Sequence, residues 1–388
     1  MITTAFAADI AAAEQLISTA PHIRAEQDLN EGHQYLAASI LATLHAAWAA
    51  EIAAPMFITG AGPFTKQGLD NPDTLYFSAA ISDDAEYVVT GKRGTTTDLS
   101  FQILAGDYTD TNVPASVAAF DDRDLDIAAD GTFEITFGPE PAAGRRNHIT
   151  LAPGSSQLLV REVYNDWTQQ RGTIAIRRTD TAGAPLPALT THTVQRRYAA
   201  AGAALVTRIR TWLQFPQWFY LNLPVNTLTE PRLTPGGLAT QYSSVGHYDL
   251  ADDEVMIITV PKSEAPYQGF QLGSLWYLSL DYINHQTSLT TDQAATDPDG
   301  NIRLVVSERN PGIANWLETL GHSRGYLQFR WQRLDRALSI ADGPTTEIVR
   351  IADLPSKLPY YEENQITAEQ FTARIADRQA AFATRMLG

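Results

Sequence analysis

Arg161 and Arg330 stand at matching places in two stretches of the chain that share one spaced signature. Asp130-Gly131 opens the first stretch, followed by Phe133, Ile135 and Phe137, then Pro141, Asn147, Leu159, Arg161 and Asp166. Asp299-Gly300 opens the second, followed by Ile302, Leu304 and Val306, then Pro311, Asn315, Leu327, Arg330 and Asp335. The spacing from Asp130 to Arg161 and on to Asp166 is identical to that from Asp299 to Arg330 and on to Asp335. A guanidinium on a strand can bind an anionic substrate through its bidentate fork. It can equally close a sandwich as a buried pair with the Asp that follows it, which is the structural role a duplicate would retain. Glu162, Tyr164, Asp166 and Trp167 around the first copy share both readings.

Three further groups carry chemistry. Asp70, Asn71, Asp73 and Tyr76 cluster before a predicted strand. Asp73 can serve as a base with Tyr76 as its partner, or the cluster is a turn whose side chains cap the backbone. Asp281, Tyr282, Asn284, His285 and Gln286 put five hydrogen-bonding side chains into six positions. Such density is costly unless each group meets a partner or water. It fits the mouth of a site in which His285 or Asp281 moves protons, or a hydrogen-bonded corner. Asn315-Trp316 and Gly321-His322-Ser323-Arg324-Gly325 read as one loop, where an exposed tryptophan would stack on a sugar or aromatic ring and a buried one would plug a sandwich. The first repeat has Asn147-His148 at the place of Asn315-Trp316.

Other chemistries find no pattern. There is no cysteine, so disulfides, thiolate nucleophiles and Cys-ligated metals are excluded. The eight histidines show no metal-binding spacing. Asp122, Asp124 and Asp126 alternate like part of a calcium loop, but Ile127 and Phe133 stand where that loop needs Gly and Glu. Phosphate-loop, dinucleotide and nucleophile-elbow motifs are lacking. The net charge of −16, from 44 acidic against 28 basic residues, argues against nucleic acid or an anionic membrane as partner. The N-terminal residues do not read as a secretion signal, and 37–60 is too weakly apolar for a membrane span. A cytoplasmic protein is expected.

The elements that must position these residues are mostly strands. Residues 1–55 read as helical, with Leu36, Ile40, Leu44, Trp48 and Ile52 on one face, ended by Pro55. Period-two patterns predict strands at 76–81, 87–90, 99–104, 132–137, 157–164 and 173–177, then at 255–260, 275–280, 302–306, 327–333 and 346–351. A helix over 193–214, limited by Pro216, separates the two sets, and a proline-rich stretch through Pro235-Gly236-Gly237 follows it. Thr367 and Gln370 form a capping box for a last helix that buries Phe371, Ile375, Phe382 and Met386. The expected fold is mainly β: two jelly-roll or β-sandwich domains side by side, with helices at the N-terminus, between the domains and at the C-terminus. The boundaries are 1–60, 61–192, 193–216, 217–355 and 356–388.

The run Gly269-Phe270-Gln271-Leu272, Trp276, Asp281 to Gln286 and Asp299-Gly300, continuing through Asn315-Trp316-Leu317 and Gly321-His322 to Arg330-Trp331, resembles domain-of-unknown-function family 1214. Asp70-Asn71-Pro72-Asp73-Thr74-Leu75-Tyr76 resembles the Asn-x-Asp-Thr-x-Tyr signature of its companion family 1254. The resemblance implies side-by-side jelly-roll or sandwich domains and supplies no reaction.

These readings lead to a cofactor-independent hydrolase or lyase that acts by general acid/base catalysis at a site between two β-domains. Its substrate would be a small polar organic molecule, a glycoside or aromatic metabolite. Asp281, His285, His322 and Asp73 are the acid/base candidates. Tyr76, Arg161, Tyr282, Asn284, Asn315, Trp316 and Arg330 are the substrate contacts, with no metal, and a homo-oligomer is compatible with this. The alternative is a non-catalytic carbohydrate- or lipid-binding or assembly module of the same architecture. A capsid-like structural role rests on architecture alone.

Overall fold

The two Asp-Gly turns fold alike, because Gly131 and Gly300 both take the left-handed conformation (φ 87° and 82°) and the Asp before each accepts a hydrogen bond from the amide that follows the glycine. The computed structural model describes residues 1–234 and 237–387, so Pro235 and Gly236 of the proline-rich stretch lie outside the described residues. Two helices, α1 (Thr4–Ser18) and α2 (Glu26–Ala49), precede the first lobe. Its strands are β1 (Thr74–Ala80), β2 (Tyr87–Lys92), β3 (Asp98–Ala105), β4 (Ala115–Asp121), β5 (Thr132–Gly138), β6 (His148–Thr150), β7 (Ser155–Val163) and β8 (Thr173–Arg178). Helix α3 (Thr191–Phe219) leads to the second lobe, which begins with β9 (Thr227–Leu228), β10 (Arg232–Leu233), β11 (Tyr242–Asp249) and β12 (Glu254–Pro261). It continues with β13 (Tyr267–Ser274), β14 (Leu278–Ser279), β15 (Ser288–Thr290), β16 (Asn301–Ser307), β17 (Trp316–Glu318), β18 (Arg324–Gln332) and β19 (Thr345–Arg350). The short α4 (Leu354–Lys357) and the long α5 (Ala368–Leu387) close the chain.

Each lobe is a β-sandwich. In the first, the sheet β1-β7-β3-β4 faces the sheet β6-β5-β2-β8 across a core of Phe101, Phe137, Ile135 and Val160. In the second, β10-β11-β18-β13-β14 faces β17-β16-β12-β19 across Phe270, Phe329, Ile258 and Leu304. The constant shift that carries Asp130 onto Asp299 also carries Asp98–Ala105 onto Tyr267–Ser274, Thr132–Gly138 onto Asn301–Ser307 and Ser155–Val163 onto Arg324–Gln332. Register follows the same shift: Ser100 opposes Arg161 as Gly269 opposes Arg330, and Val89 opposes Ile135 as Ile258 opposes Leu304. The loop asparagines match as well. Asn147 accepts from the Asp126 amide and donates to the carbonyls of Asp126 and Glu134, while Asn315 does the same with Ala295 and Arg303.

The seam between the lobes is polar. Arg333 reaches from the second lobe to Asp98 and Asp122 of the first, Arg123 reaches back to Asp335, and Asn165 bonds Thr291. Asp98, Asp121 and Asp122 lie close enough to hold a cation, but Arg93, Arg123 and Arg333 already pair with them.

Several predicted elements differ. Helix α2 ends at Ala49, leaving Ile52 outside and exposed, and it buries Gly32, Tyr35, Leu36, Ser39, Ala42 and Thr43. Its small residues, more than its large apolar ones, mark the packed face. Helix α3 continues past Pro216 to Phe219, because Trp212, Phe215 and Phe219 pack with Tyr277 and Tyr220 in one aromatic cluster. The strand expected at 275–280 is a turn over 275–277 followed by the two-residue β14. The long strand just before it is β13, whose glutamines and glycines hide its strand character although every one of its residues is buried. The capping box of α5 is present, with Thr367 N donating to Gln370 Oε1 at 2.8 Å. Among the described residues no helix is long and apolar enough to cross a membrane.

Stability should respond to this frame at two places. Asn315 is buried and bonds three backbone groups, so Asn315→Ala should cost about 2–4 kcal/mol in denaturant unfolding, and the half-buried Asn147→Ala less. His22 packs edge-on against Trp276 at 4.3 Å, and burial lowers its pKa to about 4. The unfolded chain therefore takes up a proton near pH 6.5 that the folded chain refuses. Stability should fall as pH drops from 6.5 to 4, by on the order of 3 kcal/mol, and His22→Phe should flatten that part of the pH–stability curve.

Candidate active site between the lobes

The sheet faces carrying β7 and β18 turn toward each other, and α2 and α3 cover the gap with small residues. Ala42, Thr43 and Ala46 of α2 and Ala203, Ala204 and Thr207 of α3 line a cavity of about 690 Å³. Its apolar side is Trp212, Phe215, Phe219, Phe77 and Leu159, and its polar side carries Asp70, Asn71, Tyr76, Arg161, Arg208, Gln328 and Arg330. A pocket of this size with a mainly apolar wall and a few convergent polar groups is what small-molecule sites look like.

Arg161 and Arg330 do not pair with Asp166 and Asp335. Asp166 bonds its neighbour Thr168, and Asp335 is exposed beside Arg123. Each arginine instead donates Nη1 to a glutamine oxygen on the adjacent strand, Arg161 to Gln102 at 2.9 Å and Arg330 to Gln271. The two glutamines are themselves equivalent under the shift that relates the lobes. Arg330 also donates Nη2 to the Leu69 carbonyl at 2.6 Å and to Gln328 at 3.0 Å. Gly68 and Leu69 are both left-handed (φ 64° and 49°), a conformation unusual for leucine, in the turn that presents this carbonyl. Arg208, one helical turn before Trp212, donates to Gln67 and to the carbonyls of Thr65 and Lys66. Its guanidinium also interacts with the buried Tyr35 hydroxyl of α2.

Asp70 is the acid of the buried lining. Its oxygens accept from Ser279 N and Oγ at 3.2 and 2.9 Å, and burial raises its pKa against the opposing pull of Lys66. Burial also lowers the Lys66 pKa, and this ammonium donates to the Ser279 and Leu280 carbonyls. Tyr76, raised by burial, accepts from the Asn71 amide at 2.9 Å. It lies opposite Arg161 on β1, where the second lobe has Ser243 opposite Arg330.

Of the predicted site residues, the structure gathers Tyr76, Arg161 and Arg330 at the cavity and disperses the others. Asp73 lies behind the wall, accepting from Trp167 Nε1 at 2.7 Å and Tyr267 OH at 2.8 Å, with its pKa raised by burial. Tyr282 packs beside it against Trp167 and Phe382, under the buried Arg378 and Arg385 of α5. Asp281 caps its own turn through Ile283 and Asn284, and Asn284 bonds Asp281 and Gln379 at the surface. His285 pairs with Glu318 at 2.8 Å, and His322 pairs with Glu31 of α2 at 2.9 Å, both away from the cavity. Asn315 is the loop staple described above. Trp316 is buried in β17, donates to the Ser307 carbonyl and packs on Phe371, so it is a plug and not a platform. Sequence reasoning misses Arg208, Gln102 and Gln271. The duplicated glutamine, at the same separation from each arginine, is a legible signal for two of them.

No family model matches the chain, and no curated protein does. Among solved structures it is similar to an uncharacterised protein from Burkholderia cenocepacia, with a TM-score of 0.80 and 28% identity over 90% of this chain and 96% of that one. A protein from Vibrio parahaemolyticus aligns over 88% of this chain and all of its own at 12% identity and a TM-score of 0.43, too loosely for any inference.

The placement predicts a clean division among variants. Asp281→Asn, His285→Gln and His322→Gln should leave ligand binding in the cavity within about twofold of wild type. Tyr76→Phe and Arg330→Gln should weaken it by tenfold or more, as read by calorimetric titration.

Proposed function

We propose that the protein takes a small organic molecule into the cavity between the lobes and acts on it as a cofactor-independent hydrolase or lyase, with Asp70 in the acid/base role expected of the histidines. The observation that carries this reading is the cavity itself: about 690 Å³, walled by aromatic rings on one side and by a buried carboxyl, a tyrosine and guanidiniums on the other. A carboxyl whose pKa burial raises holds its proton closer to neutral pH and can deliver it to a leaving group or carbonyl. Tyr76 supplies a second hydroxyl within the same lining. The aromatic wall suits a flat substrate body better than a glycoside. The kinship with families 1214 and 1254 belongs to the same proposal. Its support is that residues of both resembling segments meet here, Asn71 and Tyr76 from one and Arg330 from the other.

Two observations favour a non-catalytic binding module instead. Ser279 occupies both Asp70 oxygens, and no histidine lines the cavity.

A fragment screen followed by assays on ester, amide and glycoside panels separates these. Ala204→Trp, which fills the cavity from α3, should abolish binding of the hits; retained binding would remove the cavity as the site. Asp70→Asn should keep binding and lose turnover by at least a hundredfold. Turnover unaffected by that change would eliminate the role given to Asp70, and binding with no turnover by wild type would establish the module reading.

A further inference from the structure

The protein carries 44 acidic and 28 basic residues, so carboxylates are plentiful, and among the described residues at least ten arginines pair with one: Arg93, Arg123, Arg145, Arg146, Arg178, Arg197, Arg303, Arg333, Arg336 and Arg350. The three arginines of the inner cavity do not. Among the described residues no carboxylate lies within ion-pairing distance of Arg161, Arg208 or Arg330, whose partners are amide and backbone oxygens and, for Arg208, the buried Tyr35 hydroxyl. Neutral dipoles orient a buried guanidinium without cancelling its charge, and an uncompensated buried charge is costly.

The three do not stand apart from one another. Tyr76 feels the charges of both Arg161 and Arg330, and Asp70 those of Arg330 and, reciprocally, Arg208. Among the described residues Asp70 is the one acid of the buried lining, because Asp107 stands at the exposed rim, where the cation Arg232 also lies. Even with Asp70 ionised the inner cavity keeps an excess of positive charge.

The donors are also unevenly spent. Arg330 commits Nη1 and Nη2 to three oxygens, and Arg208 likewise uses both terminal nitrogens. Among the described residues Arg161 makes one side-chain hydrogen bond, from Nη1 to Gln102, and its Nε and Nη2 edge meets no described partner. That edge is the one that meets two oxygens of a carboxylate or phosphate in parallel.

We infer that the cavity's ligand is an organic anion whose carboxylate or phosphate is gripped by the Nε–Nη2 edge of Arg161, with Arg208 and Arg330 supplying fixed positive charge around it. The aromatic body of the molecule lies against Trp212, Phe215 and Phe219. This rests on the cavity reading above and narrows it to one class of ligand. It also gives the duplicated arginines distinct roles: the second-lobe copy is locked to its own framework, and the first-lobe copy faces the ligand.

The test is calorimetric titration of wild type with matched aromatic probes: 2-naphthoate, 2-naphthyl phosphate and the neutral 2-naphthamide. At least one anion should bind tenfold or more tightly than the amide, and the better of the two identifies the headgroup. Arg161→Gln should erase that preference while leaving 2-naphthamide binding unchanged, and Arg161→Lys should restore part of it, since it keeps charge without the fork. Equal binding of anions and amide by wild type would overturn the anion class and leave the cavity reading standing. Binding of none of the probes would sink both. The wild-type comparison decides the matter even if a variant fails to fold.

Discussion

The structure depends on keeping the guanidinium charge of Arg161, Arg208 and Arg330 inside the cavity between two sandwiches without an ion-paired carboxylate, while the arginines of the surrounding seam are paired. The sandwiches themselves are ordinary apolar cores, whose burial drives folding without selecting what lies between them. Around the cavity arginines the chain instead uses amide oxygens of Gln102, Gln271 and Gln328 and the turned carbonyl of Leu69. Those acceptors hold the arginines at defined angles and leave their field intact. The surroundings conform to this: Tyr76 on the neighbouring strand, Asp70 tied to Ser279, and α3 bringing a third guanidinium within the same enclosure.

The internal repeat of strands and register shows how such an arrangement is built from one chain. Matching sheets in two lobes present matching arginine–glutamine pairs, and the lobes meet with these faces toward a common gap. Differences between the copies then carry the specialisation. Tyr76 stands where the second lobe has Ser243, and Arg330 is bound by three oxygens where Arg161 is bound by one.

Fold class and repeat were legible because both rest on local patterns: Asp-Gly turns, period-two alternation and fixed offsets. Strand β13 was not, since its Gln and Gly residues are stabilised by neighbours on both sides, which a window on the chain cannot see. Of the site, Tyr76, Arg161 and Arg330 were legible from spacing. The density of polar residues at 281–286 misled, because turn capping and site chemistry draw on the same side chains. Trp316 misled for a related reason, as its neighbours along the chain say nothing of Phe371 packing on it from α5. Arg208 lies on a helix whose placement over the gap is a tertiary fact.

The cover of the cavity is made of alanines and threonines on α2 and α3, not of sandwich residues. Exchanges there, one methyl group at a time, alter the room left for a guest while both β-cores keep their packing. The size and outline of the cavity can thus be reshaped without disturbing the scaffold that encloses it.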